Sequence, residues 1–182
     1  MKTGLFRYLF LLFVASLAFP GCGSLKGTSS APPIATNTIN VASFKDLHLQ
    51  KGDYVILKTA SETSVIKARF TKYGFTISSE NGDFELEYKY DREDEGYVRL
   101  EDWSGVLNLG YFHNDVNALR YPTSPAEVAR RLAIYQLINT AAQAGADAVV
   151  EPVISMNMAK NGAFYYYKTT VTGKLIQLKG AQ

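Results

Sequence analysis

Between Ser124 and Leu178 the chain spells out one helix followed by two strands, with a start, a stop and a turn each marked by residue type. Ser124 supplies an N-cap hydroxyl, Pro125 takes the first helical position, and Glu127 completes the Ser-x-x-Glu spacing of a capping box. Val128, Leu132, Tyr135, Ile138 and Ala142 recur at intervals of three and four, and Ile134, Leu137 and Ala141 widen the stripe. Glu127, Arg130, Arg131, Gln136, Thr140 and Gln143 fill the remaining face. Gly145 is placed to end the helix. A stripe this wide calls for a helix over about 125–144 that lies on a sheet. Ala148-Val149-Val150 then reads as a core strand. Pro152 cannot donate to a ladder, so the strand must sit at an edge or carry a bulge there. The strand resumes at Met156–Met158, turns at Asn161-Gly162, and returns from Ala163 to Leu178, with Gly173 marking a bulge or bend. Alternation puts Tyr165 and Tyr167 on one face and Tyr166 on the other.

Upstream, the pattern has period two. Tyr54–Lys58 reads as a strand, Ser61–Ser64 as a polar turn, Val65–Thr71 and Phe75–Ser78 as further strands, and Asn81-Gly82 as a hairpin turn with both residues at positive φ. Phe84, Leu86, Tyr88 and Tyr90 alternate with Glu85, Glu87 and Lys89, so one face is packed and the other wet. Tyr97–Leu100 follows a charged loop, and Val106–Phe112 reads as one more strand. The segment around Trp103 fits neither pattern. The expected fold is α+β: an antiparallel sheet of roughly six to eight strands with one main helix packed on one face.

The first residues read as a leader. Lys2 and Arg7 precede an uncharged apolar run from Tyr8 to Phe19, shorter than the about 20 residues that span a bilayer. Residues 1–21 are therefore expected to be a signal peptide. Phe19-Pro20-Gly21-Cys22 resembles a bacterial lipobox, in which cleavage before the cysteine frees its amine and thiol for acylation. Phe19 stands where that motif usually has Leu, and Pro20 is an uncommon neighbour. The competing reading is ordinary cleavage after Ala18. Cys22 is the one cysteine of the chain, and an acylated lone cysteine is better accounted for in an oxidising compartment than a free one. Gly23 follows where retention in the inner membrane usually calls for Asp, so outer-membrane delivery is expected, on a face the sequence leaves open. Residues 22–40, rich in Ser, Thr, Gly, Ala and Pro, read as a flexible tether, and 41–182 as a single domain.

Without Lys2 and Arg7, 17 basic residues balance 17 acidic ones. No clustered basic face points to nucleic acid. The histidines, His48 and His113, lack the spaced ligands a zinc site needs. No nucleophile elbow or phosphate-cradling loop appears. No metal, cofactor or catalytic set is therefore expected.

The helix residues Ala-Ile-Tyr-Gln-Leu-Ile at 133–138, the run Ala-Gly-Ala-Asp-Ala-Val-Val-Glu-Pro at 144–152, and Thr-Val-Thr-Gly at 170–173 resemble the C-terminal unit of a family of Gram-negative lipoproteins with a domain of unknown function. The helix and its Gly-Ala-Asp-Ala-Val-Val turn are more distantly similar to the small ring-forming family described as heavy-metal-binding. The resemblance implies an envelope location and this helix–strand-pair unit. It implies no metal site, since Ala126–Leu178 holds neither Cys nor His.

Candidate binding residues are Tyr165 and Tyr167, as an aromatic platform, and His113 with Asp115 in a loop. Asp91, Glu93, Asp94 and Glu95 read as a charged hairpin tip, without the ligand spacing of a calcium loop. Glu151 reads as an edge carboxylate. The expected function is that of a non-enzymatic envelope lipoprotein, held to the membrane through lipid on Cys22, that binds an envelope protein partner or forms a homo-oligomer. The alternative is a glycan- or peptide-binding module using exposed tyrosines. A hydrolase using Glu151 or the 91–95 carboxylates ranks last.

Overall fold

The computed structural model of the 182-residue chain describes residues 26–28, 34–35, 40–42, 48–91, 97–111 and 120–179. Within the segment expected to be a tether lie three short strands, β1 (Lys26–Thr28), β2 (Ile34–Ala35) and, at the boundary, β3 (Asn40–Ala42). The longer elements are β4 (Tyr54–Thr71), β5 (Gly74–Ser79), β6 (Phe84–Tyr90), β7 (Val98–Gly105), the short β8 (Leu107–Asn108), α1 (Pro125–Gln143), β9 (Ala148–Asn161) and β10 (Phe164–Leu178).

The fold is α+β: among the described residues one helix packs on an antiparallel sheet of six long strands. The strand order is β1-β7-β6-β5-β4-β10-β9-β3. The outer pairings are short. β1 meets β7 antiparallel at Asp102–Ser104, and β3 meets β9 in parallel at Ala148–Val150. β4, β10 and β9 form a long three-stranded ribbon, and β5 joins β4 only over Ile66–Thr71. The polar Ser61–Ser64 stretch, expected as a turn, is uninterrupted strand inside the 18-residue β4. Its hydroxyls pair across the ladder instead of turning the chain: Ser61 Oγ lies 2.9 Å from Thr172 Oγ1, and Thr63 Oγ1 lies 2.8 Å from Thr170 Oγ1. Such cross-strand hydroxyl pairs stabilise an open sheet face.

The helix begins and ends as its residues dictate. Ser124 Oγ accepts from the Glu127 N–H at 3.3 Å, while Glu127 Oε2 accepts from the Thr123 N–H at 3.2 Å, one residue outside the expected capping box. At the other end Gly145 sits at φ +69°; its N–H reaches Ala142 O, and the Ala146 N–H reaches Ala141 O. This is a Schellman motif, which satisfies carbonyls the helix leaves open. Ser64 Oγ donates to Ala129 O at 2.6 Å and Thr140 Oγ1 to Glu62 Oε1 at 2.7 Å, fixing the helix along β4. Ala133, Ile134, Leu137, Ile138 and Ala141 pack on Val149, Val171 and Leu175 in one cluster. Val128 and Ala129 close a second over Ile66, Ile77, Leu86, Tyr88 and Trp103. The buried stripe is rotated from the expected one: Leu132 and Tyr135 are half-buried, Ala142 is exposed, and Arg131 is buried.

The cause of that rotation is the segment expected as a strand over Val106–Phe112. Among its described residues only Leu107–Asn108 pairs, in parallel with β2. Leu107 and Leu109 turn into the core, and the Gly110 N–H donates to Arg131 O at 2.9 Å. A Cβ on Gly110 would stand 2.5 Å from the Tyr135 nitrogen, so only glycine allows this approach. Both hairpin turns also differ in detail from expectation. The β9–β10 turn has Gly162 and Ala163 as its central residues, with Gly162 at φ +58° and Ala163 at negative φ, a type II′ pattern. The β5–β6 loop spans 80–83, with Gly82 but not Asn81 at positive φ.

Candidate functional site

The two faces of the sheet differ in chemistry. The face away from α1 carries the Ser/Thr pairs of β4 and β10 and a charged group in which Lys89 Nζ and Arg99 Nη2 lie 2.9 Å and 3.0 Å from Glu101 carboxylate oxygens. The hydrogen bond from Lys89 holds the Glu101 carboxyl below the usual carboxylate range. The helix-side face is apolar and only partly covered. Its β5–β7 half is roofed by α1, Leu107, Leu109 and the chain around Pro122, whose carbonyl accepts from Tyr88 Oη at 2.6 Å. Burial, then the nearby Glu127 carboxylate, pushes the Tyr88 phenol well above its ordinary value. Arg131 enters the same roof, its Nη1 donating to Arg120 O at 2.7 Å and lying 3.8 Å from Glu127 Oε1.

Over β9 and β10 the helix covers the end at Val149, Val171 and Leu175, and toward the β9–β10 turn that cover stops. A run of rings crosses four strands on this face: Tyr90 to Phe75 (6.0 Å between centroids), Phe75 to Phe70 (5.4 Å), and Phe70 edge-on to Tyr165 (5.4 Å). It ends at Lys160 of β9, whose Nζ lies 5.2 Å from the Tyr165 ring centroid. Below it Tyr167 pairs with Met158, and Thr169 with Met156. Met156 is 43% exposed, Met158 54%, and Val153 on the other face 66%. Beside Met156, a cleft of about 510 Å³ is lined by Arg120, Tyr121, Thr123, Ala126, Glu127 and Arg130.

The backbone adds to this surface. The bulge at Glu151–Pro152, opposite Gly173, shifts the β9–β10 register, with Glu151 at φ +52°. Pro152 thus stands both at a sheet edge and in a bulge. Among the described residues no strand pairs with β9 on its outer side beyond Val150. A two-residue hairpin closes on a hydrogen-bonded pair, here Asn161 and Phe164. Odd-numbered residues from Val153 to Asn161 therefore bond to β10. Ile154, Met156, Met158 and Lys160 direct their N–H and C=O groups outward, with their side chains on the apolar helix-side face.

Tyr165 and Tyr167 thus lie on the helix-side face and Tyr166 on the other, as alternation requires. Tyr167 packs partly into the core, and burial raises its phenol. Asp91 and Glu151 are exposed, and neither belongs to a group of three or more acidic, His or Cys side chains among the described residues. Cys22, His113, Asp115, Glu93, Asp94 and Glu95 lie outside the described residues. Among the described residues no group of three or more His, Cys, Asp or Glu gathers as a metal site would, and no helix is long and apolar enough to cross a membrane. The Phe70, Met156 and Met158 surface was absent from the sequence-based candidates. Its signal was the seven-residue run Val-Ile-Ser-Met-Asn-Met-Ala at 153–159, uncharged beside a proline-marked edge. Comparison with known protein families, with curated proteins and with solved structures finds no match.

Proposed function

We propose that this protein is a non-enzymatic, lipid-anchored envelope protein that works by docking a polypeptide along the outer edge of β9. The observation that carries the reading is the juxtaposition of outward backbone groups at Ile154–Lys160 with exposed Met156 and Met158 and the aromatic run ending at Tyr165. Strand addition uses this combination: main-chain hydrogen bonds give affinity, and alternate side chains fill apolar ground. Methionine suits such a surface because its unbranched thioether adapts to the partner's shape.

The anchor does not compete with this edge. Cys22 is four residues before Lys26, which pairs on β7, so a lipid there lies within about 14 Å of that edge. β9 stands six strands away in the sheet order, about 29 Å at the usual inter-strand spacing. Two measurements test the reading. Cys22→Ala should abolish palmitate labelling and membrane fractionation, and unchanged fractionation would remove the anchor. A photo-crosslinking residue at position 158 should capture a polypeptide in intact cells where one at position 76, on the opposite face, does not. Equal capture at both positions, or none, would remove the docking role of β9.

A further inference from the structure

The residues of β9 restrict what can pair with it. From Val153 to Asn161 the strand carries one charge, Lys160, and its outward groups come from Ile154, Met156, Met158 and Lys160. We propose that the polypeptide it receives is the same strand of a second copy, Val153–Asn161 paired antiparallel with itself about a two-fold axis at Asn157. This rests on the docking role of β9 proposed above and names its occupant.

In that register Met156 faces Met158 of the second copy, and Ile154 faces Lys160, on the apolar helix-side face. Ser155 faces Ala159, Val153 faces Asn161, and Asn157 faces its own equivalent on the opposite face. No like charges oppose each other, and Lys160 lays its stem over an isoleucine, as long basic side chains do. The pairs centred on Met156 and Met158 exchange hydrogen bonds, since their backbone groups point outward, while Asn157 forms the closer, non-bonded kind of pair. The register has end stops. The Glu151–Pro152 bulge closes one end and the Gly162–Ala163 turn the other. A slip by one residue would place the methionines opposite Ser155, Asn157 or Ala159 and turn apolar side chains to the polar face. The opposite sheet edge offers no such match, because Arg99, Glu101 and Asp102 lie along β7.

The two-fold axis of such a pair runs perpendicular to the joined sheet. Both β7 edges then lie at its outer ends, where two anchors can reach one bilayer parallel to the sheet. Specific interfaces bury about 800 Å² per partner, so the strand needs help from the exposed methionines and the cleft beside Met156. Confinement to a membrane raises the effective concentration of copies and lowers the affinity required.

Single cysteines in the full chain test the register. Residues of a non-bonded antiparallel pair have Cα atoms about 4.5 Å apart, within the range a disulfide bridges. Under mild oxidation of the membrane-bound chain, Asn157→Cys should yield a disulfide-linked dimer. Ser155→Cys and Ala159→Cys should each stay monomeric alone, since each lies about 14 Å from its own equivalent, and should link when expressed together. The wild-type chain, with Cys22 as its sole cysteine, is the control. All three side chains are exposed, so the substitutions leave the core intact. A monomeric Asn157→Cys chain, or equal linking at all three positions, overturns the proposal. If Asn157→Cys stays monomeric while a crosslinker at 158 captures a different protein, docking at β9 stands and self-pairing falls. If neither yields a product, both fall.

Discussion

The two edges of the sheet solve the same problem in opposite ways. An edge strand exposes a row of backbone groups that will accept any extended chain unless something prevents it. β7 is defended: Arg99, Glu101 and Asp102 line it, Glu101 forms a bulge in the register with β6, and β1 pairs over Asp102–Ser104. β9 has its defences only at its ends, the Pro152 bulge and Lys160, and between them nothing charged. The apolar face behind β7 is roofed, whereas behind β9, past the buried Val149 and Val150, Met156, Met158 and the nearby Phe70 remain in contact with water. A charged, bulged edge is closed to further pairing, and an uncharged edge backed by an apolar shelf is the one for which strand addition is proposed.

If the roofed half is core and the β9 strip is surface, substitutions should separate them by size of effect. Leu109→Ala, in that roof and fully buried, should lower unfolding free energy in urea by about 2–5 kcal/mol. Met158→Ala should stay within about 0.5 kcal/mol of wild type. A large loss at Met158 would mean the strip is structural, and the contrast between the halves would fail. Gly162→Ala should cost about 1–2 kcal/mol, because its φ of +58° is strained for any side chain although a Cβ meets nothing within 4 Å. Denaturation of that variant should show a loss of stability without a loss of fold.

Tyr88→Phe probes the roof. Removing the hydroxyl leaves the Pro122 carbonyl without this donor and should cost about 1 kcal/mol at neutral pH. The larger signature is in alkali. Burial raises the Tyr88 phenol in the folded chain, while the unfolded chain ionises near pH 10. Above that pH the unfolded state releases a proton the folded state keeps, so stability present below pH 10 is lost as pH rises. Thermal melts should therefore fall in alkali, and less steeply for Tyr88→Phe; an unchanged slope would show that Tyr88 is not the group responsible. The smallest effect is expected at Thr169, buried with its hydroxyl unbonded. Thr169→Val should be neutral or stabilising by up to about 1 kcal/mol, and a loss above that would point to a partner for the hydroxyl.

Much of the fold was legible where the signal is local. The Ser124 cap, the Gly145 stop, the alternation of β6 and the need for an edge or bulge at Pro152 each follow from a few neighbouring residues and are found in place. Local pattern fails at Ser61–Ser64, which reads as a turn, because the hydroxyls that hold it as strand belong to Thr170 and Thr172, 107 and 111 residues away for the bonded pairs. Arg131 falls on the polar face of the helix by spacing alone, because nothing in the helix announces that Gly110 will lie across it. The candidate surface was half visible. Tyr165 and Tyr167 were placed on their shared face by alternation, but Phe70 and Met158 join them only through strand pairings.

By itself, then, the sequence determined the helix, its ends, the faces of its strands and the α+β class, since caps, glycine conformations and side-chain periods act within a turn or a pleat. Strand order, the rotation of the helix and the choice of which edge stays open were decided by tertiary structure. Those depend on contacts between residues far apart in the chain, which no local pattern records. The uncharged run in β9 was always present in the sequence. Only its position at the rim of the sheet, beside an uncovered apolar face, makes it the ground for the docking proposed here.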